Sequence, residues 1–296
     1  MNGRLRAVAF MIAAMALFAA MDAINKTLVR DYPIAQIMAV RFALFVAIAC
    51  AVARRGPWLV LETRAPGWQL LRSVVLLAEM AAFVLAFRYL PLADVHAVAA
   101  AGPLIATALA ALFLRERVDT VGWVLVAGGL AGALLVAGPG FETFGPAIAI
   151  AVAAAVLWGG YQVVTRRVAA WDPPDVTTLH TPLVGLGVLG AVAALQWRSP
   201  DALGWALLLT GGAMGSLAHL LLVRALARAP ASDLQPYNYF LLVFAALAGF
   251  LVYGDVPGPW TWLGAAIVVG CGIAAMHRQA RAPGAGFASS SAGIAP

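Results

Sequence analysis

Residues 15–33 read MALFAAMDAINKTLVRDYP, a strongly apolar segment that sets Asp22, Asn25 and Lys26 within five positions of one another. In a water-soluble helix these three would mark the solvent face. The rest of the chain excludes that reading: 63% of its 296 residues are hydrophobic and 11% are charged, where ordinary soluble domains carry about 25% charged residues. No soluble core of this length buries so much apolar surface. A bilayer does, at ~20 apolar residues for each crossing helix. The fold class is therefore all-α and integral to the membrane, with the lipid bilayer as its first partner.

Apolar runs punctuated by Pro, Gly and charge predict ten transmembrane helices, at 7–29, 34–53, 67–90, 92–114, 120–137, 145–166, 175–197, 203–226, 233–253 and 260–277. Arg4 and Arg6 precede a run that continues too far for a signal peptide, so it reads as the first span. Ten spans put both termini on one side. Most arginines fall on that side, whereas only Lys26, Arg30, Arg88 and Arg198 fall opposite and Arg41 lies inside the second span. The positive-inside rule then makes both termini cytoplasmic. Basic residues placed as topology signals, not as a patch, exclude nucleic acid as a partner. All tryptophans but Trp158 lie near span ends, as interfacial anchors do. Cys50 and Cys271 sit in apolar runs with no metal or disulfide spacing, so neither metal nor cofactor is expected.

Working outward from residues 17–33, the chain repeats itself at a shift of 139 or 140 positions. LFAAMDAINKTLVRDYP falls on LWGGYQVVTRRVAAWDP, pairing Phe18 with Trp158, Asp22 with Gln162 and Pro33 with Pro173. YLPLADVHAV falls on RAPASDLQPY, and Glu116 meets Asp255. Residues 1–6 form a cytoplasmic N-terminus, 7–137 a first five-helix repeat, 145–277 a second, and 278–296 a disordered cytoplasmic tail. Five is odd, so the second repeat runs through the membrane inverted. Inverted repeats place a substrate site near the midplane where the halves meet, which indicates a transporter and not an enzyme.

The segments MDAINKTLVRDYPIAQIMAVRF (21–42), FRYLPLADVHAVAAAGPLIATALAALFLRERV (87–118) and LARAPASDLQPYNYFLLVFAALAGFLVYGDVP (226–257) resemble the drug/metabolite transporter superfamily, in its ten-span EamA-type branch. The resemblance covers about residues 7 to 277. It implies a central cavity formed by the first four spans of each half, a bacterial inner-membrane location, and export of amino acids or related small metabolites with broad specificity. Uptake of a larger metabolite such as riboflavin or S-adenosylmethionine is the alternative it implies. The chain departs from the family pattern at Phe18, where tryptophan is usual, and at Arg115, where glycine is.

Ionisable groups inside a bilayer are costly unless they face a cavity or a partner, so each is a site candidate. Asp22 and Lys26 are four apart and can pair on one face of the first span, with Asn25 beside them. They form either a structural ion pair or a polar wall of the outer vestibule. Glu79 lies halfway along the third span with no basic neighbour at helical spacing. His219 occupies the corresponding span of the second half, and His180 the seventh. Each histidine is a substrate or proton group, or a buried ring satisfied by a backbone carbonyl. Trp158, Tyr161 and Gln162 lie within about one turn of Gly159 and Gly160, as a cavity wall or as aromatics packed on glycine.

Nothing resembles a P-loop, so direct use of ATP is not expected. No HExxH, GxSxG or Cys/His set supports an intramembrane enzyme, and no ring of like charge supports a channel. One chain carries both halves, so a monomer suffices.

Overall fold

In the computed structural model, residues 3–53, 56–113, 118–136, 146–172, 174–226, 228 and 234–281 are described here. Every regular element among them is helical. They are α1 (Gly3–Asp31), α2 (Ile34–Ala53), a 3₁₀ turn (Pro57–Glu62), α3 (Pro66–Phe87), α4 (Leu92–Ala99), α5 (Gly102–Phe113), α6 (Thr120–Leu135), α7 (Pro146–Val168), α8 (Pro174–Leu195), α9 (Ala202–Leu226), a 3₁₀ turn (Gln235–Tyr239), α10 (Phe240–Tyr253) and α11 (Pro259–Arg281). Six stretches of the described helices are long and apolar enough to cross a membrane, and shorter apolar helices lie at 34–48, 120–135, 179–195 and 237–253.

Local chemistry sets the helix ends. Pro66 occupies the first turn of α3, where a missing N–H costs nothing. The Asp119 side chain caps α6 by accepting from the Gly122 amide at 3.0 Å. Gly254 ends α10 at φ 71°, and the amides of Gly254 and Asp255 return to the Phe250 and Gly249 carbonyls. That left-handed turn suits glycine and aims Asp255 back at α1.

The fourth span, expected as one run over 92–114, is broken at Ala100–Ala101 into α4 and α5. Pro103 offers no amide to the Ala99 carbonyl, which is reason enough for the interruption. α11 continues to Arg281, past the boundary expected at 277. Residues 282–296, Arg54, Arg55, Arg115, Glu116, Arg117, Pro173, Pro230 and Asp233, all used in the sequence argument, lie outside the described residues.

The packing interleaves the two sequence repeats. α1 packs most extensively on α9 and α3 on α7, pairings that exchange when the halves are exchanged. α1 with α10 matches α7 with α4 and α5, and α2 with α9 matches α8 with α3. α2 with α8, and α6 with α11, are their own counterparts. The last pair meets at Gly132 and Gly264: a Cβ at Gly264 would lie 2.5 Å from the Gly132 carbonyl oxygen. Small residues let backbones meet where lipid offers no hydrophobic drive to association.

Candidate functional site

Three polar layers run along the seam between the halves. The middle layer begins on α1, where Asp22 is buried at 6% exposure and Asn25 at 3%. Asn25 Nδ2 donates to Asp22 Oδ1 at 3.4 Å. His96 of α4 brings Nε2 within 3.2 Å of Asp22 Oδ2, without the alignment of a hydrogen bond. Phe83 and Phe87 flank the His96 ring.

Arg41 of α2 stands within electrostatic reach of both Asp22 and Glu79, and Glu79 is itself buried at 9% exposure. Gly215 of α9 makes room for it, since a Cβ there would lie 3.3 Å from Arg41 Nε and 2.6 Å from Met21 Sδ. His219, one turn on, donates Nδ1–H to the Gly215 carbonyl at 2.9 Å, between the edge-on rings of Phe18 and Phe45. The structure therefore sets Arg41, not His219, against Glu79. This cation between two carboxylates balances charges that would otherwise be prohibitive in a low-dielectric interior.

The second layer lies at the end of the bundle where α1 starts. Arg72, one turn or so into α3, is buried at 5% exposure. Its Nε donates to Thr165 Oγ1 at 3.0 Å, and Nη1 to the Thr177 carbonyl at 2.9 Å, Thr181 Oγ1 at 3.1 Å and Gln69 Oε1 at 3.5 Å. Nη2 donates to the Tyr161 hydroxyl at 2.7 Å, and the guanidinium lies 4.9 Å from the Tyr161 ring centre. Pro182, inside α8, withholds an amide from its preceding turn and loosens the backbone that Arg72 reaches. Ser73 bonds Thr181 Oγ1 at 3.1 Å and His180 Nδ1 at 3.2 Å.

Asp172, in the link from α7 to α8, completes this layer. It accepts from Gln69 Nε2 at 2.7 Å, from the Arg64 amide at 2.7 Å and from the Thr63 hydroxyl. Burial alone would raise its carboxyl, but these three donors hold it below the ordinary carboxylate range.

The third layer lies at the opposite end. Lys26 Nζ pairs with Asp255 Oδ2 at 2.7 Å and sits 4.8 Å from the centre of the Tyr253 ring. The expected pairing of Asp22 with Lys26 is thus not the one formed. Gly254 delivers Asp255 to Lys26, while Asp22 is taken by α4. Gln36 and the Arg198 backbone exchange two hydrogen bonds, at 2.8 and 3.0 Å, between the first turn of α2 and the α8–α9 link. A cavity of about 600 Å³ opens at this end, lined by Val29, Tyr32, Ala81, Leu85, Arg88 and Leu189 among others.

Trp158 bears on where cargo could sit. Ala149, Ala153 and Val156 form the exposed stripe of α7, and at ~100° per residue Trp158 points away from it, toward the interior. Yet Trp158 is 37% exposed, although it lies on the side of α7 opposite that stripe. Its ring stacks on Tyr161 at 5.3 Å and packs where a Cβ on Gly102 would lie 2.5 Å from it. Gln162 is half-buried on the same helix. Among the described residues, no group of three or more His, Cys, Asp or Glu side chains could hold a metal ion.

The sequence therefore brought forward Asp22, Asn25, Glu79, Trp158, Tyr161, Gln162, His180 and His219. It passed over Arg72, read only as a topology signal, and Asp172, and it left Arg41 and His96 without a role. A signal for Arg72 was present: Tyr161 with Thr165, and Thr177 with Thr181, are acceptor pairs four residues apart that each face one helix side.

The profile of the EamA-like transporter family matches residues 5–138 and 145–276. A riboflavin transporter of Vibrio cholerae is 33% identical over 211 residues, 71% of each chain. An S-adenosylmethionine uptake transporter of Rickettsia felis is 26% identical over 75% of this chain and 76% of its own. A pseudopaline exporter of Pseudomonas aeruginosa is 27% identical over 85% of this chain and 89% of its own. A solved crystal structure at 22% identity superposes with a TM-score of 0.61, over 93% of this chain and 99% of that one.

Proposed function

The chain belongs to the EamA-like transporter family and is a multi-pass membrane transporter; we propose that it moves a heteroaromatic metabolite of the riboflavin or S-adenosylmethionine kind by alternating access between two inverted five-helix halves. The observation that carries this reading is Trp158, half-exposed on the inward side of α7 and stacked on Tyr161. Such a face suits a planar ring, which offset stacking favours by ~0.5–1.5 kcal/mol beyond area burial. The buried carboxylates Asp22 and Glu79, with the half-buried Arg41 in electrostatic reach of both, supply polar partners for the rest of the cargo. The interleaved packing, in which extensive contacts persist when the halves are exchanged, supports the inverted repeat. The arginine bias puts the α1-start end, with both termini, in the cytoplasm of a bacterial inner membrane.

Uptake stands ahead of the export expected from sequence, because relatives named for riboflavin and S-adenosylmethionine resemble this chain. Export of amino acids or related metabolites is the second reading, supported by likeness to the pseudopaline exporter over 85% of this chain. Counterflow in proteoliposomes separates them: riboflavin or S-adenosylmethionine should exchange, and Trp158→Ala should change the preference between large and small cargo. Exchange of amino acids alone, or an equal change of preference in Trp197→Ala, contradicts the proposal.

A further inference from the structure

Arg72 is a buried cation whose direct partners are all neutral: three hydroxyls, one backbone carbonyl and one amide oxygen. The nearest carboxylate in the network is Asp172, one step removed through Gln69. An arginine needed only to hold helices together is held most strongly by a carboxylate, whose paired oxygens match the guanidinium fork. This one has no such partner among the described residues. Among the described residues, Nη2 has the Tyr161 hydroxyl as its acceptor and a second hydrogen with none. The guanidinium also continues the aromatic face, since it lies over Tyr161, which stacks on Trp158. A planar cargo resting on Trp158 would thus present its near edge toward Arg72.

We propose that Arg72 is the cytoplasmic-side recognition residue for the cargo, trading the Tyr161 and Thr165 hydroxyls for a pair of adjacent acceptors: a carboxylate, or a ring carbonyl oxygen with the unprotonated ring nitrogen beside it. The trade is favourable in direction because hydroxyls are weaker acceptors than a carboxylate for a charged donor. It also has a structural consequence. Arg72 joins α3 of the first half to α7 and α8 of the second, so drawing the fork onto cargo loosens the cytoplasmic seam as the cargo engages. Ser73, Thr181 and His180 remain bonded to one another and keep the wall polar. This inference rests on the transport reading above and deepens it.

The test is counterflow of riboflavin, S-adenosylmethionine and threonine in vesicles of each orientation, for the unaltered protein, Arg72→Lys and Tyr161→Phe. Arg72→Lys keeps the charge and loses the fork. It should raise KM about tenfold for cargo at the cytoplasmic face, the scale of one lost bidentate contact, with the external KM nearly unchanged. Tyr161→Phe removes a competing acceptor, keeps the ring, and should lower the cytoplasmic KM. A penalty confined to S-adenosylmethionine or threonine identifies a carboxylate as the group read; one confined to riboflavin identifies a ring carbonyl with its neighbouring acceptor nitrogen. If Arg72→Lys leaves both KM values unchanged, or raises them equally, the residue is only a structural tie and the inference is wrong. An unaltered protein that moves none of the three overturns the reading of cargo itself.

Discussion

The two ends of the bundle join the same halves with opposite chemistry. At the end where α1 starts, a buried arginine is spread over neutral acceptors among the described residues, and the buried carboxylate beside it, Asp172, is held by an amide, a hydroxyl and a side-chain amide. At the far end Lys26 and Asp255 meet directly at 2.7 Å, with the Lys26 side chain 9% exposed and Asp255, at 30%, reaching water. A direct pair beside water is weak and easily rehydrated, whereas a buried multidentate network is costly to break partway. The far end can therefore part by admitting water. The end where α1 starts parts only when something replaces its bonds.

The largest expected effect lies in the middle layer. Glu79 faces Arg41 and Asp22 and lies between the two ends. Glu79→Gln is expected to abolish pH-driven accumulation while counterflow persists, because only a titrating group is lost. Accumulation at the unaltered level would leave Glu79 a packing residue and uncouple the ends from any proton.

Asp172→Ala should be the next largest effect. It strands three donors, one of them buried Gln69, and is expected to cost about 3 kcal/mol of stability in detergent melts, since a hydrogen bond to a charged group is worth ~1.5–3 kcal/mol. The folded protein holds this carboxyl below its unfolded value. Its contribution is thus fully present above the unfolded pKa and lost as pH falls through the lower folded one. Melting temperature should fall through that acid range in the unaltered protein and less steeply in Asp172→Asn. Equal acid sensitivity in both would remove Asp172 from the account.

The smallest effect belongs to the far end. Lys26→Met should cost no more than ~1 kcal/mol, and raising salt should shrink the difference, as for a partly exposed pair. A loss as large as that of Asp172→Ala would erase the contrast between the ends.

How much of this was legible in the sequence follows from which interactions are local. The helices, the apolar character and the repeat come from composition and spacing, which act along the chain, and the residues Asp22, Asn25, Glu79 and Trp158 stood out as polar or bulky groups in apolar runs. The partner of Lys26 did not. Helical spacing offered Asp22, four residues away, and only the turn at Gly254 shows why Asp255 prevails. The interruption at Ala100–Ala101 was foreshadowed by Pro103 yet hidden in a run that is apolar on both sides. Arg72 was hardest to read, because an arginine one turn inside a span end looks the same whether it reaches to water or is turned inward. Its inward turn depends on Tyr161, Thr165 and Thr181, which arrive from helices far along the chain.

The central claim is that the two ends open in turn. In a chain with Cys50 and Cys271 replaced, spin labels at positions 64 and 171 report the end where α1 starts, and labels at 31 and 201 report the far end. Distances measured in nanodiscs with and without riboflavin or S-adenosylmethionine should change reciprocally, one pair lengthening as the other shortens. Both pairs lengthening together, or neither moving while cargo exchanges, would contradict alternating access between the halves.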